Sequence, residues 1–187
     1  MQKAEKPMRL NLRVRSVLCL LLSAFWLLAV QGCAYTTHNA LPPHLKSIAV
    51  PVFNNKTYVD DYTRHLEVEV TDSVRKVFVQ TGELKLAGRE DADLILEGEI
   101  EKLDREILRT DRFGDPAEIK VVIRARISLY DVKEAKYLMK HQIVTNLERK
   151  NESGVYNLRR GEDESLARTN AVNDIGQVIS RRVVERW

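Results

Sequence analysis

Three basic side chains, Lys120, Arg124 and Arg126, fall at even-numbered positions of one alternating segment, where they would share one face of a strand. Such a row can bind phosphate groups, because an arginine fork donates to two phosphate oxygens at once. Three acidic residues alternate in a preceding segment: Glu97, Glu99 and Glu101. An antiparallel register could set the last two opposite Arg126 and Arg124, and such pairing is common on charged sheet faces. Both interpretations can hold, because a phosphate can compete for the same arginines.

No catalytic or metal site is predicted from motifs or spacing. Alternate strand residues stand about 6.5–7 Å apart, too far for the three glutamates to chelate one cation without a loop. His38 and His44 lie in a short segment with no third ligand near in sequence, and His65 and His141 are isolated. The chain has no Gly-x-Ser-x-Gly, His-Glu-x-x-His or phosphate-loop motif. We therefore expect a non-enzymatic protein with no metal and no cofactor other than a covalent lipid.

A cysteine closes an uncharged apolar run near the start of the chain. The run, residues 16–32, follows five basic residues, and it is short for a transmembrane anchor, which takes about 20 apolar residues. A basic start, a short apolar run and small residues at the exit are typical of a secretory signal peptide. The stretch Ala29-Val30-Gln31-Gly32-Cys33 resembles a bacterial lipobox. This resemblance implies cleavage after Gly32 and lipidation of Cys33 by a thioether diacylglycerol and an N-acyl chain such as palmitate.

The sequence thus predicts a signal peptide over residues 1–32, a lipidated tether over 33–45 and a single α+β domain over 46–187. The same resemblance implies a location: Ala34, the residue after the lipidated cysteine, favours sorting to the outer membrane. The protein would then be anchored on the periplasmic side of that membrane. The formal net charge of +3 comes from the signal peptide, so it does not indicate nucleic-acid binding. Cys19 leaves with that peptide, and Cys33 carries lipid, which excludes an intrachain disulfide.

Hydrophobic periodicity predicts the order strand, helix, three or four strands, helix. The predicted elements are a strand at 47–53, a helix from Asp60 or Asp61 to Gly82, strands at 84–87, 94–103, 118–130 and 137–147, and a helix from Asp163 to about 186. Polar loops are predicted at 108–117 and 149–162. The fold class expected is α+β, with two helices packed on one face of a mostly antiparallel four- to five-stranded sheet. The other face carries the charged rows and would meet water or a partner.

Residues 48–57, IAVPVFNNKT, and 92–98, ADLILEG, together with the long alternating strand, resemble the LptE family of lipopolysaccharide-assembly lipoproteins. The resemblance implies a protein that plugs the large outer-membrane β-barrel of the lipopolysaccharide translocon, of LptD type, helps it assemble and contacts lipopolysaccharide. Under this interpretation Lys120, Arg124 and Arg126 are the candidate contacts to lipid A phosphates.

The first of these motifs is also similar to two other lipoprotein families. These are activators of penicillin-binding proteins and the curli-secretion lipoproteins, so the alternative function is regulation of a cell-wall synthase or a role at a secretion pore. A regulator must reach across the periplasm, but the tether offers about a dozen residues, some 40 Å when fully extended. Its length favours a partner within the outer membrane.

Overall fold

The computed structural model describes residues 42–57, 62–149 and 153–185. The predicted signal peptide, the lipidated Cys33, most of the tether and the caps at Asp60 and Asp61 lie outside them. The described residues form these elements: β1 Ser47–Ala49, β2 Asn54–Asn55, α1 Leu66–Thr81, β3 Lys85–Leu86, β4 Leu94–Thr110, β5 Pro116–Asp131, β6 Lys136–Thr145, β7 Val155–Asn157 and α2 Glu164–Val184. Neither described helix is both long and apolar enough to cross a membrane.

The predicted α+β class is confirmed, and the sheet is mixed rather than purely antiparallel. Its strand order is β3-β1-β4-β5-β6, with β2 also pairing with β4 and β7 with β5. The three long strands form antiparallel pairs, while β1 runs parallel to β3 and β4 because a helix separates it from them in sequence. Strand β4 extends to Thr110, so the hairpin loop predicted at 108–117 shrinks to residues 111–115.

Both helices bury the stripes that their periodicity predicted. Helix α1 buries Leu66, Val70, Val74 and Phe78 completely, and Gly82 ends it in the left-handed conformation with φ 67°. Helix α2 begins after Asp163, whose carboxylate accepts a hydrogen bond from the Ser165 amide at 2.8 Å. The inward stripe of α2 is buried as predicted: Ala167, Ala171, Ile175, Val178 and Ile179.

The inner face of β5 is buried as predicted, but its outer face is drier than the alternation implied. Val121, Ile123 and Ile127 are fully buried beneath the helices. On the outer face Val122 is only 6% exposed and Ser128 only 8%. Strand β5 is flanked by β4 on one side and by β6 and β7 on the other, so side chains of these strands shield the outward side chains of β5 from water.

Pro51 divides the predicted first strand in two. Strand β1 ends at Ala49 and pairing resumes at β2, because Pro51 has no amide hydrogen to donate. Helix α1 satisfies the backbone freed between them: Arg75 donates two hydrogen bonds to the Val50 carbonyl, at 3.0 and 2.7 Å. The Phe53 amide donates to Thr71 Oγ1 at 3.0 Å. These contacts fix Phe53 over the inner face of β4.

A buried asparagine bridges a gap in the ladder on β5. Strand β6 pairs with β5 from Arg124 onward and β7 pairs with residues 118–120, so residues 121–123 have no strand partner on that side of β5. Asn146, fully buried, accepts from the Ile123 amide at 2.9 Å and donates to the Val121 carbonyl at 3.0 Å. Its side-chain amide thus takes the place of a neighbouring strand's backbone.

Candidate functional site

The outer face of the sheet, away from the helices, carries the predicted basic row. Lys120 lies opposite Glu106 and beside β7, and it is only 8% exposed. Arg124 is exposed on the central strand. Arg126 is partly exposed and lies opposite Glu99, the register that sequence pairing suggested. The three side chains therefore share a strand face but differ in their access to solvent.

A bulge in β4 changes the expected pairing of the next arginine. Ile100 lies opposite Ala125, but the following pair is Lys102 with Arg124, so Glu101 is an extra residue without a ladder partner. The expected pair of Glu101 with Arg124 does not form. Glu101 makes an ion pair with Arg126 instead. Among the described residues no carboxylate lies within ion-pair distance of Arg124.

Most other charges on this face are compensated. Arg89 lies 3.5 Å from Glu97, Lys56 lies 3.8 Å from Glu99, and Lys102 approaches a carboxylate oxygen of its neighbour Asp104 at 2.6 Å. These pairs are largely exposed, so each adds at most about 1 kcal/mol to stability and can be broken by a competing ligand. The outer face is therefore a mixed-charge surface, and Arg124 is an exposed cation on it that makes no ion pair with the other described residues.

A shallow groove of about 290 Å³ runs across this face beside Arg126. Arg89 and His141 join its lining, together with the carboxylates of Glu97 and Glu99. His141 has φ 52° at a bulge in β6, and its amide donates to Ser128 Oγ at 3.0 Å. The sequence predicted a role for neither Arg89 nor His141, because Arg89 lies in a turn and the bulge that places His141 leaves no periodic signal.

The β4–β5 hairpin forms a second exposed surface. Phe113 at its tip is 73% exposed, and Ile107 and Leu108 on the adjoining strand are 56% and 48% exposed. The Arg112 guanidinium lies 4.7 Å from the centre of the Phe113 ring. Exposed apolar side chains that stand together commonly mark a contact surface for another molecule. The sequence predicts only a polar loop at 108–117, so this apolar surface is a finding of the structure.

The base of this hairpin is fastened to the helical layer. The Arg105 guanidinium lies 4.2 Å from the centre of the Tyr62 ring and forms an ion pair with Glu164 at the start of α2. The hydrogen bond that Arg105 donates to Glu164 raises the pKa of Arg105, and burial raises the pKa of Tyr62. Arg168 donates to Glu69 at 2.6 Å and ties the two helices at the same end. The base of the hairpin is therefore held against the helices by these noncovalent contacts.

The architecture places the chain among small α+β domains whose helices cover one face of a sheet. It is similar to protein XCC0632 from Xanthomonas campestris at 12% identity, with a TM-score of 0.51, over 79% of this chain and 87% of that one. It is also similar to the hypothetical protein CT253 from Chlamydia trachomatis at 11% identity, with a TM-score of 0.50, over 76% and 95% of the two chains. At such identities the likeness shows the fold alone. No curated protein sequence is significantly similar to this chain.

The family is shown by sequence. The family model described as LptE, lipopolysaccharide-assembly, matches residues 45–186, which include all of the described strands and helices. The chain therefore belongs to the LptE family, and the resemblance read from residues 48–57 and 92–98 is confirmed.

Proposed function

We propose that the chain is an outer-membrane lipoprotein, anchored through Cys33 on the periplasmic side, that assists lipopolysaccharide transport and assembly without catalysis. Its partner would be an LptD-type translocon barrel, which it would bind and plug while contacting lipopolysaccharide. The observation that carries this proposal is the family match over residues 45–186. The lipobox resemblance supports the anchor.

The two exposed surfaces suit a partner that offers both charged and apolar groups. The exposed Arg124 supplies a cation for an anionic headgroup, with Arg126 and Lys120 in the same row. Phe113 and its apolar neighbours supply a contact for hydrocarbon or for apolar protein side chains. Strand β4 has 17 residues, so it carries the hairpin tip about 50 Å from the end of the sheet where the chain enters the domain. One rigid domain can thus present both surfaces to a large barrel.

Affinity purification tests the partner. A tagged full chain is expressed at native level, extracted in mild detergent and captured, and co-purifying proteins are identified by mass spectrometry. We expect an outer-membrane barrel of the lipopolysaccharide translocon in stoichiometric amount. Recovery of a cell-wall synthase or a secretion pore in its place would favour the alternative functions and refute this one.

Binding of purified lipopolysaccharide tests the ligand contact separately. The double variant Arg124→Glu/Arg126→Glu should bind more weakly, and the defect should shrink at high salt because exposed charges are screened. Lys76→Glu, on the exposed side of α1, is the matched control and should bind normally. Unchanged binding by a folded double variant would refute phosphate contact through this row and leave the barrel partner untouched.

The anchor is tested by mass spectrometry of the protein extracted from membranes. The peptide that begins at Cys33 should carry the mass of the diacylglycerol and the N-acyl chain. Cys33→Ser should leave an uncleaved or unanchored form. A free thiol at Cys33 in the mature protein would refute the lipoprotein assignment.

A further inference from the structure

A histidine and two carboxylates meet at the end of the sheet where the chain enters the domain. His44 Nε2 lies 3.0 Å from Asp131 Oδ2, although the two residues are 87 positions apart in sequence. One ligand atom from each of His44, Asp131 and Glu134 lies within 4.8 Å of the other two. The sequence predicted no metal at His44 because no further ligand lies near it in the chain, and the fold supplies two.

Asp131 is held in place by its surroundings. It is the last residue of β5 and is 1% exposed, and its Oδ1 accepts the Glu134 amide at 3.0 Å. Burial alone would raise the pKa of Asp131, but the hydrogen bonds from the Glu134 amide and from His44 hold it below its usual value. One oxygen of the carboxylate is therefore oriented by the turn, and the other is directed at His44.

A further carboxylate adds negative charge to the same region. Asp93 Oδ2 accepts the amides of Lys46 and Ser47, both at 2.9 Å, and these bonds lower the pKa of Asp93. Among the described residues, the ammonium group that neutralises Glu134 belongs to Lys136, whose side chain is 57% exposed. Because that ammonium reaches water easily, a second cation can displace it at small cost.

We propose that His44, Asp131 and Glu134 form a binding site for one divalent transition-metal ion, of which zinc is the best match. One imidazole nitrogen and two carboxylate oxygens form a donor set that Zn²⁺ accepts, with a fourth position left for water. Zinc bonds of about 2.0–2.2 Å place neighbouring ligand atoms roughly 3.3–3.5 Å apart, close to the present separation of His44 and Asp131. The amide bond to Asp131 Oδ1 is the kind of outer contact that orients a metal ligand.

A bound ion would connect two parts of the chain that are distant in sequence. His44 lies in the last part of the predicted tether, whereas Asp131 ends β5 and Glu134 lies in the turn between β5 and β6. An ion that binds only when these parts meet stabilises the folded arrangement by mass action. It would hold His44 against the end of β5.

Isothermal titration with ZnCl₂ tests the site on the detergent-solubilised full chain, treated with EDTA and purified without a histidine tag. We expect about one equivalent of zinc and a rise in melting temperature on binding. His44→Gln should weaken zinc binding about tenfold or more, the scale on which even outer-contact losses act. Glu134→Gln should also weaken it. Lys136→Gln should strengthen it, because the competing ammonium is gone.

The controls separate a metal site from a purely structural His–Asp pair. His141→Asn removes another exposed histidine and Glu90→Gln another exposed carboxylate, and both should bind zinc as the unaltered chain does. Absence of zinc binding by the unaltered chain would overturn the proposal. So would equal zinc affinity in His44→Gln, or a zinc-induced rise in melting temperature that persists in that variant. Circular dichroism confirms that each variant is folded.

Discussion

Gly98→Ala should be costly because an aromatic ring occupies the space that its side chain would need. A methyl carbon built at Gly98 lies 2.5 Å from Cδ2 of Phe53, where ordinary contacts between carbon atoms are about 3.5–4.0 Å. Phe53 is 2% exposed and cannot swing away freely, because its amide is bonded to Thr71 and its segment to Arg75. Gly98 therefore has a role in packing rather than in chain flexibility.

The size of the effect follows from overpacking. Forcing an extra carbon into a filled core costs about 1–3 kcal/mol, a large part of a typical total stability of about 5–15 kcal/mol. Phe53→Ala alone should cost about 3–5 kcal/mol by leaving a cavity. In the double variant the new methyl group enters the emptied space, so the cost of Gly98→Ala should vanish. The coupling between the two changes should then be about 1–3 kcal/mol and favourable.

Urea denaturation of the full chain in detergent, followed by circular dichroism, measures all four proteins. Gly88→Ala is the matched control, because its nearest neighbour is the Asp91 carboxylate at 4.0 Å and it should change stability little. Additive losses in the double variant would refute this account. So would a neutral Gly98→Ala, since the ring of Phe53 would then not fill the space above residue 98.

Three further changes test other parts of the fold. Ile123→Asp should abolish folding because it buries an unpaired charge. Val122 is only 6% exposed, so Val122→Asp should also destabilise the fold by about several kcal/mol, although alternation alone would place this side chain in water. Expression levels and melting curves of the two variants test this. Asn146→Ala orphans a buried amide and carbonyl on β5, so urea denaturation should show a loss of about 2–4 kcal/mol. The pKa of Asp93 is lower in the folded protein than in the unfolded chain, so ionised Asp93 stabilises the fold above about pH 4. This stabilisation is lost as the pH falls through the pKa of Asp93 in the folded protein. In Asp93→Asn the melting temperature should therefore fall less steeply on the acid side of a pH profile.

Regular periodicity made the helices and the central strand predictable. The stripe from Ala167 to Ile179 and the cap at Asp163 appear where a 3.6-residue period and a capping residue put them. Gly82 ends α1 for the same local reason. These features depend on neighbours in sequence and on a single buried face, which is why composition and spacing are sufficient to find them.

Interactions between distant residues were not predictable in this way. Asn146 looks like an ordinary polar residue after a strand, yet it completes the hydrogen bonding of β5. Strand β7 lies inside a segment that reads as a polar loop, because its three residues carry no detectable period. His44 contacts Asp131 because the segment before β1 lies at the end of the sheet where β5 ends. The local spacing of residues does not predict such contacts between distant parts of the chain.

The bulge at Glu101 shows how one extra residue changes the functional interpretation of the basic row. Without it, Glu101 would lie opposite Arg124, and both arginines of the row would face a glutamate. With it, Lys102 takes that position, and Glu101 joins Glu99 beside Arg126. Arg126 is thereby neutralised within the sheet, while Arg124 stands exposed next to a second cation. An anionic headgroup approaching the outer face would meet Arg124 without first displacing a carboxylate from it. Single replacement of Arg124 should therefore account for most of any loss of lipopolysaccharide binding in the double variant.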